Sequence, residues 1–519
     1  MTNFLRAPCD DIANSPTPAL PLTKHCEKWI LVATILGSSM AFIDGTIVNI
    51  ALPALQHDLH ASISQIQWVV EAYALTLGAL LLLGGALGDV YGHRKIFLIG
   101  TVIFAGVSAL CGMASTISQL IAARTIQGIG GALLIPGSLA IISASFPEER
   151  RGQAIGAWAG FTAITTAAGP VIGGWLVEHA SWRWIFFLNL PLAVIVSLIT
   201  LFYLPESKHK QCRGLDLVGA ILATIGLGGL VFGLIEWEHG GSVIIPSLIV
   251  GICSLIGFLF VEAHASFPMM PLMMFRSRNF SGANLITFFL YFSLYGVLFF
   301  FPLNLIQIQG YTATEAGAAI LPLILLIFLM SRWAGGLVKK FGPKLPLVVG
   351  PAIAAMGFAL FLTSGIGKSY WVSFFPATLI LGLGMAISVA PLTTVVMNSI
   401  SLDYAGAASG VNNAISRIAG LLAVAVLGIV MTTIFNQQLI KGLKESSVSV
   451  TIQHEILNQR SRLADIKTND ENIHRVVQES FLIGYEAIVW IAVILALASS
   501  LSAAVLIVGR NPPDNPGSS

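Results

Sequence analysis

The sequence predicts an all-α protein embedded in a membrane, and three observations support this fold class. First, 55% of the 519 residues are apolar and only 10% are charged, against roughly 25% in an ordinary soluble protein. Second, the apolar residues form long runs bounded by polar residues, proline or glycine. Third, lysine and arginine are distributed asymmetrically between the connections of those runs. This composition excludes a soluble enzyme, a disordered chain and a nucleic-acid-binding protein.

Fourteen apolar runs are long enough to be transmembrane helices, each of which needs roughly 20 residues. They lie near residues 29–52, 67–88, 96–115, 120–144, 154–177, 184–204, 215–235, 243–262, 281–302, 314–334, 345–365, 371–392, 406–433 and 482–508. Because the number of spans is even, both termini are expected on the same side of the membrane.

The basic residues set the orientation of these spans. With the N-terminus placed in the cytoplasm, the short inner segments and tails hold sixteen lysines and arginines, whereas the short outer loops hold Arg183 and Lys368. The polar segment 434–480 is then external, and long loops cross a membrane largely regardless of charge. Its apolar residues recur at roughly helical spacing, so we expect either a small helical hairpin or a solvated connector.

A weak internal repeat divides the spans into two halves. Residues 85–95 read GALGDVYGHRK after span 2, and residues 336–344 read GLVKKFGPK after span 10. Both place a small residue, an apolar stretch, a glycine and a cation in the same order, as expected when two halves arose from one unit. The predicted organisation is a cytoplasmic tail 1–28, a six-helix half 29–204, two inserted helices 215–262, a six-helix half 279–508 that includes the external loop 434–480, and a cytoplasmic tail 509–519.

Five motifs stand out in the first six spans and their connections. The loop after span 2 reads Gly85-x-Leu87-Gly88-Asp89-x-x-Gly92-His93-Arg94, span 4 holds Arg124-x-x-Gln127-Gly128-x-Gly130, and span 5 holds Gly169-Pro170-x-x-Gly173-Gly174. Span 1 holds Asp44-Gly-Thr-Ile-Val-Asn49-Ile-Ala-Leu-Pro53, and the entrance to span 6 reads Trp182-Arg-Trp-Ile-Phe-Phe-x-Asn189-x-Pro191. The first three resemble motifs of the major facilitator superfamily, the one in span 5 being associated with antiporters. The last two are similar to the fourteen-helix drug/proton antiporter branch of that family.

The resemblance implies a major facilitator fold in a bacterial cytoplasmic (inner) membrane. It implies a proton-coupled antiporter that exports amphipathic, often cationic toxic compounds by alternating access, with no catalytic residue, cofactor or metal site. The partners implied are these small molecules, protons and the lipid bilayer, and no nucleic acid. Exporters of this branch in double-membrane bacteria often work with a periplasmic adaptor and an outer-membrane channel, and no feature of the sequence decides between that arrangement and a stand-alone protein.

Asp44 is the first candidate for proton coupling. It lies well inside span 1, where a carboxylate costs roughly 2.5–3.5 kcal/mol on insertion scales, so it needs a partner, a water cavity or a proton. Burial favours the neutral form of an acid, and a group that is anionic without its proton can exchange that proton for a cationic compound. The resemblance assigns Asp44 this role, and the alternative is a carboxylate hydrogen-bonded to a neighbouring helix.

Arg124 and Glu71 are the other two candidates for proton coupling. A buried guanidinium must be paired because it does not deprotonate; the resemblance implies that Arg124 tunes the proton site, and the alternative is a tie between helices. Glu71 lies in the outer turn of span 2. It is a second proton site, a group that holds cationic substrates, or a side chain that reaches the outer interface.

Two motifs supply candidates for moving parts. The cytoplasmic gate motif comprises Gly85, Asp89, Gly92, His93 and Arg94. In it, Asp89 either latches onto a facing helix N-terminus or is an ordinary loop carboxylate. Val90 stands directly after Asp89 and His93 directly after Gly92, so the charge clamp is expected to be either weaker or pH-sensitive. The antiporter motif comprises Gly169, Pro170, Gly173 and Gly174. Its proline bends the helix and its glycines permit close helix contacts, which serve either plain packing or a rocking interface.

A further set of polar and aromatic residues is expected to line the substrate cavity. These are Asn49, Tyr73, Gln127, Tyr291, Tyr295, Asn412 and Arg417. The two tyrosines of span 9 either contact flat cations or pack in the protein interior, and Arg417 either lines the cavity or pairs with a carbonyl group.

Two other functions compete with drug export. The same fold could export a metabolite such as a siderophore, peptide or lipid, and a membrane sensor that no longer transports is a third interpretation. Because the sequence holds no GxxxxGK[ST] phosphate loop, the chain carries no ATPase of its own, which favours an ion gradient as the energy source without deciding between H⁺ and Na⁺.

Overall fold

The computed structural model describes residues 24–508 with the exception of 147, 205–215, 238–240, 266–267, 269, 364, 368, 400–404, 447–448 and 469. Inside the helices, the side chains of several residues also lie outside the description, including that of Asp89. Most of the predicted tail 1–28 and all of the tail 509–519 therefore fall outside the described residues.

The described elements are helical throughout. The first part of the chain forms α1 (Lys24–Asp58), α2 (Ile63–Tyr91), α3 (His93–Met113), α4 (Ile117–Ser145), α5 (Glu148–His179), α6 (Trp184–Phe187), α7 (Asn189–Tyr203), α8 (Leu217–Ile235) and α9 (Ile244–His264). The second part forms α10 (Arg278–Leu303), α11 (Ala313–Ala318), α12 (Leu321–Phe341), α13 (Lys344–Leu360), α14 (Tyr370–Ser373), α15 (Phe375–Asn398), α16 (Ala405–Glu445), α17 (Val450–Asn458) and α18 (Glu471–Leu506). Short 3₁₀ turns at Leu272–Arg276, Phe361–Thr363 and Arg460–Asp465, and a π turn at Asn304–Ile308, complete the elements.

Local sequence signals explain where α2 begins and ends. Ser62 accepts a hydrogen bond from the backbone N–H of Gln65, and the Gln65 side chain accepts one from the backbone N–H of Ser62, so the pair forms a capping box. Gly92 separates α2 from α3 with a φ of 104°, a conformation that residues with a Cβ rarely adopt. The glycine of the gate motif is therefore required by the tight turn.

Twelve helices of the described part are long and apolar enough to cross a membrane. They correspond to twelve of the predicted spans. The other two predicted spans, 67–88 and 154–177, fall on the continuous helices α2 and α5, which are not among the twelve. The fold is therefore an all-helical, multi-pass one, while the count of fourteen spans and the cytoplasmic termini stay predictions.

The chain forms two compact units. Unit 1 comprises the described residues of Met1–Met269, Phe301–Ala318 and Val424–Ile483, and unit 2 those of Met270–Phe300, Ala319–Ala423 and Gly484–Ser519. Unit 1 thus contains the predicted half 29–204 and the inserted helices 215–262, together with two segments of the predicted second half.

The segment 434–480 is mostly helical. Helix α16 continues to Glu445, well beyond the predicted end of span 13, and α18 already begins at Glu471. Between them lie α17 and the 3₁₀ turn. Gln56 of α1 donates a hydrogen bond to the carbonyl of Arg462 at 2.9 Å, so the segment packs on the end of α1, and the helical alternative is the one that the structure shows.

Candidate functional site

Asp44 lies at the centre of a buried polar cluster in unit 1. Its side chain is 0% exposed. The Nη1 atom of Arg124 donates a hydrogen bond to Asp44 Oδ2, and Gln127 Nε2 donates one to Asp44 Oδ1 at 2.9 Å. Arg124 and Gln127 lie three residues apart on α4 and therefore share one helix face. The structure thus brings Asp44 and Arg124 together, while their role in proton coupling stays a prediction.

Arg124 is held by more than its carboxylate partner. It is 1% exposed. Its Nε donates to the carbonyl of Val69 at 3.0 Å, and its Nη1 also donates to Gln127 Oε1 at 2.9 Å. The guanidinium lies over the ring of Tyr73, with its carbon 4.2 Å from the ring centroid, a cation–π contact. The guanidinium thus keeps neutral acceptors that do not depend on the charge of Asp44.

The glycines of the span 4 motif allow the helices to approach around Arg124. A Cβ added at Gly128 would lie 2.0 Å from Thr76 Oγ1, and one at Gly130 would lie 2.7 Å from the backbone nitrogen of Phe104. Both distances are too short for a real side chain. The motif therefore brings α4 against α2 and α3, which closes the space around the cluster.

Asn189 completes the cluster and was absent from the predicted site residues. Its Nδ2 lies 3.0 Å from Ser108 Oγ and 3.4 Å from Asp44 Oδ1, both within hydrogen-bond distance. Ser108 in turn donates to the carbonyl of Phe186 at 2.8 Å. The sequence signal was present, because Asn189 belongs to the motif that enters span 6, but nothing in the sequence placed that motif beside span 1.

We expect replacement of Asn189 by leucine to slow proton-coupled transport about tenfold, because it removes a hydrogen bond worth roughly 1.5–3 kcal/mol when the partner is charged. The measurement is the initial transport rate in proteoliposomes. Asn472→Leu is the control, since Asn472 is exposed in the first turn of α18 and lies outside the cluster and the predicted cavity. Equal rates for the two variants would contradict a role for Asn189 at the Asp44 carboxyl group.

Glu71 is buried but does not join the cluster. Val69 and Tyr73, which both contact Arg124, lie two residues before and after it. Two residues correspond to about 200° around a helix, so Glu71 faces away from Arg124. It is 1% exposed, and its Oε2 has no hydrogen-bond partner among the described residues. The alternative in which Glu71 reaches an exposed interface does not fit this burial.

The cytoplasmic gate motif is largely buried. Arg94 donates from Nη2 to the carbonyl of Leu201 on α7 at 2.8 Å, and His93 is also buried. A Cβ at Gly88 would lie 2.5 Å from His93 Nδ1, so the histidine fills the space that this glycine leaves. Gly85 makes an ordinary contact with Pro136. The latch predicted for Asp89 falls on a side chain outside the described residues.

The antiporter motif packs on two elements of unit 1. A Cβ at Gly169 would lie 2.7 Å from Thr46 Oγ1, and one at Gly173 would lie 2.3 Å from Ile47 Cγ1, both on α1. On another side of α5, a Cβ at Gly174 would lie 2.3 Å from the Ala313 carbonyl oxygen. Reciprocally, a Cβ at Gly317 would lie 2.1 Å from the Pro170 carbonyl oxygen. The close packing is therefore present, and Gly317 is a partner that the sequence did not reveal.

Glu178 ties the end of α5 to the start of α11. Its carboxylate accepts hydrogen bonds from the Thr314 side chain at 2.5 Å and from the Thr314 backbone N–H at 3.3 Å. The hydrogen bond from the Thr314 side chain is the main cause that lowers the pKa of Glu178 below its usual value. A contact of this sign stabilises the fold above the ordinary pKa of glutamate, about 4.3, and is lost as the pH falls through the lowered pKa.

We therefore expect Thr314→Val to lower the thermal midpoint slightly at pH 7, and we expect this difference to vanish as the pH falls below the lowered pKa of Glu178, where the carboxyl group is protonated in both proteins. The effect is small because the carboxylate is exposed. Melting curves of the two purified proteins across this pH range measure it. A difference that persists unchanged into acid would show that Thr314 contributes packing rather than a hydrogen bond to a carboxylate.

The predicted cavity residues separate into different places. Tyr73 and Gln127 are buried in the Asp44 cluster. Asn49 lies on α1 in unit 1, whereas the other four lie in unit 2. There, Asn412 donates to Asn284 Oδ1 at 2.9 Å and to Thr287 Oγ1 at 2.7 Å.

The two tyrosines of span 9 are neighbours in unit 2. The rings of Tyr291 and Tyr295 lie 5.9 Å apart and tilted, while Arg417 is partly buried on α16. Polar and aromatic groups therefore do collect on α10 and α16, and their role in binding a substrate stays a prediction.

Comparison with known proteins identifies the family. Residues 34–424 match the family model described as Major Facilitator Superfamily. The chain is 35% identical over 432 residues to the tetracenomycin C resistance and export protein of Streptomyces glaucescens, covering 81% of this chain and 78% of that one. It is 32% identical over 500 residues to the multidrug resistance protein Stp of Mycobacterium tuberculosis, covering 92% of this chain and 90% of that one.

Solved structures show the same fold. A bacterial homologue of the human lysosomal transporter Spinster superposes with a TM-score of 0.68 at 19% identity, covering 95% of this chain and 100% of that one. A D-xylose–proton symporter superposes with a TM-score of 0.60 at 15% identity, covering 93% and 98%. Family model, relatives and fold agree, and the chain is a member of the major facilitator superfamily of membrane transporters.

Proposed function

We propose that this protein is a proton-coupled antiporter that exports amphipathic, often cationic toxic compounds by alternating access. The observation that carries the proposal is the fully buried carboxyl group of Asp44, held against Arg124 and Gln127. Relatives named for antibiotic or multidrug resistance support the class of cargo. The proposal includes fourteen spans, cytoplasmic termini and a location in a bacterial inner membrane.

The cluster can exist with Asp44 in either of two charge states. With Asp44 ionised, the carboxylate and the guanidinium neutralise each other in a water-poor interior. With Asp44 protonated, Arg124 stays charged but still has the Val69 carbonyl and Gln127 Oε1 as acceptors. Protonation therefore removes the ion pair, while two neutral acceptors of the guanidinium remain.

Coupling requires that the two charge states prefer different conformations of the transporter. Asp44 lies on α1 and its hydrogen bonds come from α4 and α7, so its protonation changes how three helices are held together. One proton that moves inward at 100 mV provides about 2.3 kcal/mol, to which the pH difference adds. A cationic compound moving outward is the natural counter-substrate for a site that becomes anionic when the proton leaves.

Glu71 is proposed as a second acidic group of the transport cycle. A carboxyl group buried without a partner is costly when ionised. Since it faces away from Arg124, it can take up a proton, or interact with a cationic compound, without disturbing the Asp44 pair.

Uptake into inside-out membrane vesicles tests the proposed function. Vesicles that contain the protein are given a pH gradient in which the interior is acidic, and ethidium or a quaternary ammonium compound is added outside. We expect accumulation that a protonophore abolishes and that a sodium gradient does not support. Accumulation driven by sodium alone would overturn proton coupling. No accumulation of any cationic compound would overturn the cargo class in favour of a metabolite exporter.

A further inference from the structure

A polar cavity of about 840 Å³ lies in unit 1 beside the beginning of α2. Its walls come from the end of α8, from α16 and from α17 with the 3₁₀ turn after it. In the proposed orientation this is the outer side of the membrane. One of the inserted helices and the polar segment 434–480 therefore build the cavity together with α2.

Gln67 lies at the inner limit of this cavity along α2. It lines the cavity but is only 3% exposed, and its Nε2 donates to the Val424 carbonyl at 2.9 Å. Gly428 also lines the cavity, and a Cβ there would lie 1.8 Å from Gln67 Nε2. Any side chain at position 428 would therefore displace the Gln67 amide.

Glu71 follows Gln67 by four residues on α2, so the two side chains share one helix face a turn apart. Gln67 lies nearer to the beginning of the helix, where the cavity is, and Glu71 lies deeper. Glu71 Oε2 is buried and has no hydrogen-bond partner among the described residues. A buried carboxyl oxygen that no described residue contacts by a hydrogen bond thus lies one helical turn beyond the inner limit of a polar cavity.

We propose that the cavity is an aqueous port through which protons from the outer side reach Glu71, with Gln67 as the group between them. The role of this port in transport rests on the proposed proton coupling. The arrangement of the cavity, Gln67 and Glu71 does not depend on that proposal. A cavity of this size and polarity holds several waters. An amide side chain both donates and accepts hydrogen bonds, so Gln67 can join those waters to the Glu71 carboxyl group.

The charges around the port fit this role. Among the lining residues of the described part, the charged or titratable ones are His454 and Arg460, and both are exposed, so salt screens them. Glu236, next to the lining residue Trp237, accepts a hydrogen bond from Trp68 Nε1 at 3.0 Å. Among the lining residues that the structure describes, none carries a carboxylate that would retain a proton on its way to Glu71.

Carbodiimide labelling tests the port without using transport. The protein in proteoliposomes is treated with a water-soluble carbodiimide and taurine, an anionic amine that does not cross membranes, and the taurine amide at Glu71 is quantified by peptide mass spectrometry. We expect Glu71 to be labelled in the wild type. We expect labelling about tenfold slower in Gly428→Val, which corresponds to a barrier higher by about 1.4 kcal/mol.

Two further variants make the result decisive. Gly106→Val is the matched control, because a Cβ at Gly106 meets nothing within 4 Å, and it should label like the wild type. Gln67→Leu keeps the side-chain size without its polarity and should label slowly even if Gly428→Val does not fold. Labelling of each variant by the lipid-soluble dicyclohexylcarbodiimide shows that the Glu71 carboxyl group is intact.

The outcomes separate the port from the proposed function. Wild-type Glu71 that reacts with dicyclohexylcarbodiimide but not with the aqueous reagents would overturn the port, as would equal aqueous labelling of the wild type, Gly428→Val and Gln67→Leu. The Asp44→Asn variant should lose antiport and keep the aqueous labelling of Glu71. A protein that shows this labelling but no antiport would leave the port standing and overturn the proposed function.

Discussion

Replacement of Arg124 by leucine is expected to abolish coupled transport and to lower the free energy of unfolding by about 3–5 kcal/mol, the cost of leaving one member of a buried ion pair without its partner. Arg124 is 1% exposed and contacts the carboxylate of Asp44, the amide of Gln127 and the backbone of α2. Denaturant unfolding in detergent, with transport in proteoliposomes, measures both effects.

The double variant Asp44→Leu/Arg124→Leu separates stability from function. Replacing a whole buried ion pair by apolar residues is often neutral for stability, so we expect the double variant to unfold close to the wild type while it stays inactive. Arg124→Lys keeps the charge but cannot reproduce the two-nitrogen contact to Asp44 and Val69, and intermediate activity is expected. Substantial coupled transport by the double variant would contradict a coupling role for the pair.

The second large effect is expected for Gly317→Val, a variant that should lose transport activity. A Cβ at this position would lie 2.1 Å from the Pro170 carbonyl oxygen, and a backbone atom cannot rotate away as a side chain can. The contact between α5 and α11 must therefore open. If that contact closes and opens during the cycle, transport is lost even where the protein still folds.

Transport rate and thermal midpoint of Gly317→Val, set beside those of Gly106→Val, measure this effect. The control carries the same substitution at a helix position where a Cβ meets nothing within 4 Å. We expect the control to transport normally. Normal transport by Gly317→Val would show that the contact between the antiporter motif and α11 has no part in the cycle.

Much of the fold follows from local sequence patterns. The apolar runs located the long helices because length and composition alone decide whether a helix can cross a bilayer. The three-residue spacing of Arg124 and Gln127 placed both on one face of α4. The position of Asp44 inside a span indicated that its carboxylate needs a partner, a water cavity or a proton. These inferences needed no knowledge of how distant parts of the chain meet.

The features that the sequence did not reveal are contacts between residues that lie far apart in the chain. Asn189 lies 145 residues from Asp44 and Gly317 lies far from Pro170, and a single sequence carries no signal for either pairing. The assignment of Tyr73 to a substrate cavity likewise could not anticipate that its ring would lie against Arg124. Helix α16 ends later and helix α18 begins earlier than the predicted spans. The extra turns were not predicted because helix that extends beyond the membrane has no continuous apolar run.

The most direct test of proton coupling at Asp44 is proton movement in proteoliposomes that hold a pH-sensitive dye. A proton gradient is imposed, ethidium or a quaternary ammonium compound is added, and the wild type is compared with Asp44→Asn and Glu71→Gln. We predict substrate-triggered proton movement in the wild type that vanishes in Asp44→Asn. Proton movement that survives in Asp44→Asn and disappears in Glu71→Gln would contradict coupling at Asp44 and move that role to Glu71.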